Sequence, residues 1–387
     1  MKNKVIVIFF LAFILFAMSG YVTWQKDGVF TSLGKGKIEA AFNNIREKNS
    51  FIEINGASQR LMDKRKIDDV DALNSVVKLN NGYLISAGSF DASFDAPGLF
   101  GKADKIIELK GYLEKSDIDF LYVQIPHKIS SYGNCLPRGL TYEGNKAGDV
   151  FLNRLSSAGV DCIDLREEMK KDGIDHFNAF YITDHHWTTE AGFWAFGNVG
   201  RYLNKNYGFD INEKYFDGKN YSFKTEEKAF LGSFGRRVGR LYGGIDDFTY
   251  LLPEFETDLN VSVPSKSIEK TGSFKDAFFD ESYLDKKDLY DSNIYTIYTK
   301  DYPLQKIENK LDGTKKVLLL RDSYSCVFSP FLSLGCSRLD IIDLRYYTET
   351  TLKEYIDKTQ PDMVLFAYFL GMLDSNSDVM FQFGLAS

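Results

Sequence analysis

Cysteine is scarce in this chain. The 387 residues hold four, at Cys135, Cys162, Cys326 and Cys336, and no two stand in a C-x-x-C pair. That excludes the zinc-knuckle and thioredoxin-type redox patterns. The four thiols are compatible either with disulfides, in three possible connectivities, or with buried free cysteines. Histidine is equally rare, with four residues and no H-x-x-x-H spacing, so a helical zinc motif is absent. Basic charge is in deficit: 47 Lys and Arg face 54 Asp and Glu, for a formal charge of −7. An acidic balance argues against nucleic acid as the main partner. No internal repeat or low-complexity tract interrupts the sequence.

Hydrophobic composition is ample, at 44 % with 15 % aromatic, which suffices for a large core. After Lys2 and Lys4, residues 5–24 run without a charge, broken only by Ser19, Gly20 and Thr23. That is the length of a bilayer-spanning helix, whereas the apolar part of a cleaved signal is usually only about 7–15 residues. Ala17-Met18-Ser19 is a weak cleavage site, and no cysteine precedes Cys135 for lipidation. The expectation is an uncleaved signal anchor over 1–25, its lysines inside and the remainder of the chain outside the cytoplasm. A charged approach segment over 26–80 then leads into the main domain, 81–387.

From about residue 82 the pattern alternates between strand and helix. Residues 120–125 form an almost continuous apolar run that stops at Pro126, as a buried parallel strand does. Residues 103–115 and 149–158 have helical spacing, and 160–165 read as another strand. Thr188 is placed to cap a helix over 189–204, with Glu190 in its first turn. Strands at 316–320, 339–343 and 363–368 follow, with a helix at 352–358. The alternation predicts an α/β domain with a mostly parallel sheet covered on both faces. Residues 206–310 break the rhythm and read as an insertion of short strands and loops, most turn-prone at Gly232-Ser233-Phe234-Gly235-Arg236-Arg237.

In such sheets ligands bind beyond the carboxyl ends of the strands. His127 and Lys128, Ser323, Arg345 with Tyr346 and Tyr347, and Tyr368 all fall at those ends. Asp184 and His186 lie two apart, so an extended segment would project both to one side. Asp184 would then fix the tautomer of His186, His186 would take the proton of Ser323, and Ser323 would attack an ester or thioester carbonyl. His185 would point the other way, and Trp187 would pack beneath. Each residue also has a plainer reading: Asp184 as a helix-capping residue, Asp322-Ser323 as ordinary turn chemistry, His176 as a loop residue. A metallohydrolase with Asp184, His185 and His186 as ligands is a further possibility, although adjacent histidines rarely face one ion.

Together these segments resemble a known family. Asp184-His185-His186-Trp187-Thr188 resembles the signature of the DHHW family of bacterial exported proteins, which is similar to the periplasmic alginate O-acetyltransferases with their Asp-x-His-Trp motif. Val123-Gln124-Ile125-Pro126-His127-Lys128 resembles a Val-x-x-Pro-x-Lys pattern, and Cys162-Ile163-Asp164-Leu165 follows it. Leu319-Leu320-Arg321-Asp322-Ser323-Tyr324-Ser325 resembles the Gly-Asp/Thr-Ser-Phe-Ser nucleophile turn, with Arg321 where the pattern has glycine. The resemblance covers roughly residues 80–385. It implies a three-layer α/β/α fold of the SGNH-hydrolase kind, with Asp184 and His186 preceding the serine in permuted order. It also implies an extracytoplasmic O-acetyltransferase that carries acetyl on Ser323 and passes it to a cell-surface or secreted polysaccharide. No cofactor or metal is implied. A multi-pass membrane O-acyltransferase would supply the acetyl group. Oxyanion donors would be the Ser323 N–H, with Arg345, Tyr368, Lys128 and Tyr346 as further oxyanion or substrate candidates from the strand-end rule. Two alternatives stand beside it. One is a polysaccharide acetylesterase, which differs only in using water as the acceptor. The other is a non-catalytic polysaccharide-binding subunit, for which 23 Tyr and 32 Phe offer stacking surfaces.

Overall fold

A computed structural model describes residues 48–385 apart from 70–73, 93, 131–134 and 286–287. The expected anchor over 1–25 therefore lies outside the described residues. Among those described, no helix is long and apolar enough to cross a membrane.

Strands β1 (Lys66–Ile67), β2 (Val76–Lys78) and β3 (Leu84–Ser86) make a small antiparallel sheet. The apolar run after residue 119 is β4 (Asp119–Ile125), and β5 (Cys162–Asp164) lies beside it. β6 (Tyr221–Phe230) and β7 (Asp246–Pro253) form a separate antiparallel pair. β8 (Leu259–Val263), β9 (Ile268–Gly272), β10 (Leu304–Asn309), β11 (Lys316–Arg321), β12 (Arg338–Ile342) and β13 (Met363–Phe369) complete the strands. The main sheet has the order β5-β4-β13-β11-β12-β10-β8-β9. Its first five strands are parallel, and the last three continue the edge antiparallel. Residues 206–310 thus provide both the β6–β7 ladder and the three antiparallel strands β10, β8 and β9 at the sheet edge.

Side-chain alternation divides the core into two layers. Leu121, Val123, Leu319, Leu365 and Ala367 pack on one face with Trp187, Phe196 and Val199, on and just before the helix Thr189–Tyr207. Phe120, Tyr122, Leu318, Leu320, Phe366 and Tyr368 pack on the other, against the helices Ala96–Glu114, Gly144–Ser157 and Leu352–Thr359. Helices on both faces explain why the parallel strands read as unbroken apolar runs. The Thr189–Tyr207 helix begins as expected, with the Thr188 hydroxyl accepting from the Ala191 N–H at 3.2 Å. It runs three residues past the predicted end and stops at Gly208, whose φ of 62° suits a left-handed cap. All four cysteines are free, so of the two readings the thiols hold.

Candidate active site

Residues 181–186 form a tight loop closed by a bridge between Phe180 and Trp187, with the Tyr181 N–H donating to the His186 carbonyl. The loop is turned, not extended. Asp184 Oδ1 accepts the backbone N–H of His186 at 3.0 Å, the two-residue Asx closure that aspartate favours. The same oxygen lies 2.6 Å from His186 Nδ1, and His186 Nε2 lies 2.8 Å from Ser323 Oγ. Three side chains from distant parts of the sequence therefore make one hydrogen-bonded line. The turn also corrects the expectation for His185: its ring packs on that of His186, centroids 3.7 Å apart, and its Nδ1 faces Ser233 Oγ at 3.3 Å.

The loop is held from three directions. Lys128, fully buried, donates to the carbonyls of Leu84 (2.7 Å), Ile182 (2.9 Å) and Asp184 (2.6 Å). Asp246 accepts the N–H groups of Ile182 and Thr183 and the Thr183 hydroxyl. Ser233 donates its N–H to Asp184 Oδ2 at 2.5 Å. Gly232 makes this approach possible, since a Cβ there would stand 2.3 Å from the Cβ of Asp184. Burial raises the Asp184 carboxyl, but the neighbouring histidines and its hydrogen bonds outweigh burial and hold it well below the usual carboxylate range. Burial likewise pushes the Lys128 ammonium down, to about 7, against the pull of Asp246 and Asp184.

Ser323 opens the 3-10 turn Ser323–Val327 directly after β11. Asp322 caps that turn, accepting from Tyr324 N–H at 2.9 Å, and also accepts the Phe369 N–H at the end of β13 at 2.6 Å. Burial drives its carboxyl up to about 6 in spite of those bonds. The Tyr324 carbonyl receives Trp187 Nε1–H (2.8 Å) and Tyr295 O–H (3.1 Å), and the Tyr324 hydroxyl returns to the His185 carbonyl (2.6 Å). Tyr295 stacks on the His186 ring at 4.1 Å. These cross-ties dock the serine turn on the histidine loop. Ser323 keeps partial exposure while its neighbours are buried, and among the described residues no protein group accepts its backbone N–H.

The other residues expected at the rim divide. Lys128 is a buried support for the Asp184 loop and not a substrate contact. Tyr368 is fully buried on the face opposite His186, with its hydroxyl on the Met380 carbonyl at 3.1 Å. Strand parity with Val364 and Phe366 turns it away. Arg345 is committed to Asp343, at 2.9 and 2.6 Å, and approaches Asp301 at 3.5 Å; no hydrogen bond joins it to Ser323 or His186. Tyr346 is exposed, its ring beneath the Arg345 guanidinium. His127 stacks on Tyr142 and accepts the Ile129 N–H. His176 ties the carbonyls of His127 and Lys128. Sequence reasoning missed Asp246, Tyr295 and Asp301, for which no local signal exists; Ser233 lies in the turn already singled out as unusual. The donor atoms of Asp184, His185 and His186 lie within 4.8 Å of one another. Both ring nitrogens of His186 are nevertheless engaged, one by Asp184 and one by Ser323, which suits proton transfer better than metal ligation.

Residues 81–238 match the SGNH hydrolase-like domain of the acetyltransferase AlgX. That segment contains Asp184, His186, Lys128 and Ser233, while Ser323 lies beyond it. No curated protein matches the chain by sequence. Among solved structures, Bacillus cereus PatB1 with a sulfonyl adduct superposes with a TM-score of 0.66 at 18 % identity, covering 82 % of this chain and 99 % of its own. A DHHW family protein from Eubacterium siraeum gives a TM-score of 0.55 at 18 % identity, covering 81 % and 97 %. The likeness read from the sequence is thereby shown: residues 81–238 match the AlgX-type SGNH hydrolase-like domain, and the chain shares its fold with PatB1 and the DHHW family protein.

Proposed function

We propose that this protein is an O-acetyltransferase that works through a Ser323 acyl-enzyme. The observation that carries the reading is the unbroken line Asp184–His186–Ser323, with contacts of 2.6 and 2.8 Å. Ser323 gives its proton to His186 Nε2 as Oγ attacks the acetyl carbonyl. Asp184 keeps Nδ1 protonated and steadies the imidazolium that forms. The Ser323 N–H, without a protein acceptor among the described residues, donates to the oxyanion. Nε2 then protonates the departing alcohol, leaving acetyl on Ser323. In the second half an acceptor hydroxyl loses its proton to Nε2 and attacks the acetyl carbon, and Nε2 passes that proton to Ser323 Oγ as the acyl bond to the serine breaks.

The acceptor in this reading is a cell-surface or secreted polysaccharide. The catalytic domain stands outside the cytoplasm, tethered by the single span at 5–24, and a multi-pass membrane O-acyltransferase delivers the acetyl group. The lysines before the span and its length support that arrangement.

The test measures acetyl release from a chromogenic acetyl ester with and without an oligosaccharide acceptor. Ser323→Ala is expected to lower turnover by about 10⁴-fold or more. A sulfonyl fluoride is expected to label wild type on Ser323 and to leave Ser323→Ala unlabelled. Faster ester turnover with an acetylated sugar product identifies a transferase, whereas acetate alone, unaffected by acceptor, identifies an esterase. Undiminished turnover by Ser323→Ala sinks the mechanism.

A further inference from the structure

Arg321 stands two residues before the nucleophile, at the end of β11, and its side chain is buried. Its two terminal nitrogens face acceptors, while Nε has none among the described residues. One terminal nitrogen pairs with Asp301 and donates to the Asp322 carbonyl at 3.2 Å; the other donates to the Lys300 carbonyl at 2.5 Å. Cys326 Sγ lies 3.6 Å away and Asp343 3.8 Å. Taken in contact order, Arg321, Asp301, Arg345 and Asp343 alternate in sign, which compensates much of the cost of burying them.

The Asp322 carbonyl belongs to the same peptide group as the Ser323 N–H. It accepts twice, from Arg321 and from the Ser325 N–H at 3.1 Å. In a trans peptide the carbonyl and the N–H point in opposite directions within one plane, so fixing the first aims the second. Among the described residues, the N–H is the end that no protein group accepts. A hydrogen bond to the carbonyl of an amide also strengthens its N–H as a donor.

We propose that Arg321 is a positioning residue: by holding the Asp322 carbonyl, it aims the Ser323 N–H at the oxyanion. This rests on the acyl-enzyme reading above and adds a part to it. Asp301 serves in turn by fixing the guanidinium. The side chain that stands in place of a glycine is thereby explained, since it leaves the serine partly exposed and braces the peptide from behind.

The test compares wild type, Arg321→Met, Arg321→Lys and Ser323→Ala on an acetyl oxygen ester and on the matching thionoester, whose sulfur is a poor hydrogen-bond acceptor. Loss of one oxyanion donor elsewhere costs about 10²–10³ in kcat, so a misaimed donor is expected to cost about 10–100-fold with little change in KM. The thionoester is expected to lose far less, so the preference for oxygen over sulfur falls in Arg321→Met, with Arg321→Lys intermediate. Arg321→Lys keeps the charge and most of the volume, so it decides the matter if Arg321→Met does not fold. Equal losses on both esters, or an unchanged kcat, overturn the positioning role while Ser323→Ala remains inactive. An active Ser323→Ala instead overturns the acyl-enzyme reading, and this inference with it.

Discussion

Replacing Asp184 by Asn changes one atom and sets two demands against each other. Asp184 accepts three protons: from the His186 N–H (3.0 Å) and His186 Nδ1 (2.6 Å) at one oxygen, and from the Ser233 N–H (2.5 Å) at the other. An amide has only one oxygen. If it faces His186, the new NH₂ meets the Ser233 N–H, donor against donor, and a buried donor goes unsatisfied at about 1–3 kcal/mol. If it faces Ser233, the NH₂ meets His186 Nδ1 and drives the proton to Nε2, where it blocks the proton of Ser323. Either orientation also removes the charge that steadies the imidazolium. The expected result is a kcat lower by about 10³–10⁴ with stability reduced by only about 1–3 kcal/mol. Initial rates on an acetyl ester, paired with urea unfolding, measure both. The folded carboxyl lies below its unfolded value, so its contribution is complete above pH about 4 and is lost as the pH falls from there towards the folded value. The stability gap between wild type and Asp184→Asn should therefore close only in acid. A folded Asp184→Asn with kcat within about tenfold of wild type would refute the role given to Asp184.

Two further outcomes follow from the geometry. Tyr368→Phe removes a hydroxyl bonded to Met380 on the far face of the sheet, so kinetics should be unchanged and stability lower by about 1 kcal/mol; a large fall in kcat would restore it as an oxyanion donor. Lys128→Met strips donors from three carbonyls, two of them buried and one of these that of Asp184, and should cost about 3 kcal/mol or more by urea unfolding, with kcat falling as the loop loosens; unchanged values of both would show that the loop holds itself.

The regular parts of this fold were legible because their signals are local. The apolar runs of β4, β11 and β13 are what strands buried on both faces require, and Thr188 with Glu190 marks a helix start by chemistry within one turn. Those same runs carry no mark of which face is which, because both are apolar. Tyr368 was therefore placed at the rim by its strand end, and only the packing of helices on each face turned it away. Asp184, His186 and Ser323 could be named from residue types and strand ends, but their contact depends on how the loop 181–186 is gripped by Lys128, Asp246 and the Gly232-Ser233 turn. Those partners lie 49 to 64 residues from the groups they hold, or bond through backbone carbonyls that any residue has. The chain by itself determined which chemistry was available and where the strands end. Only the tertiary structure decided which side chains meet, because that convergence comes from long-range packing that leaves no periodicity in the sequence.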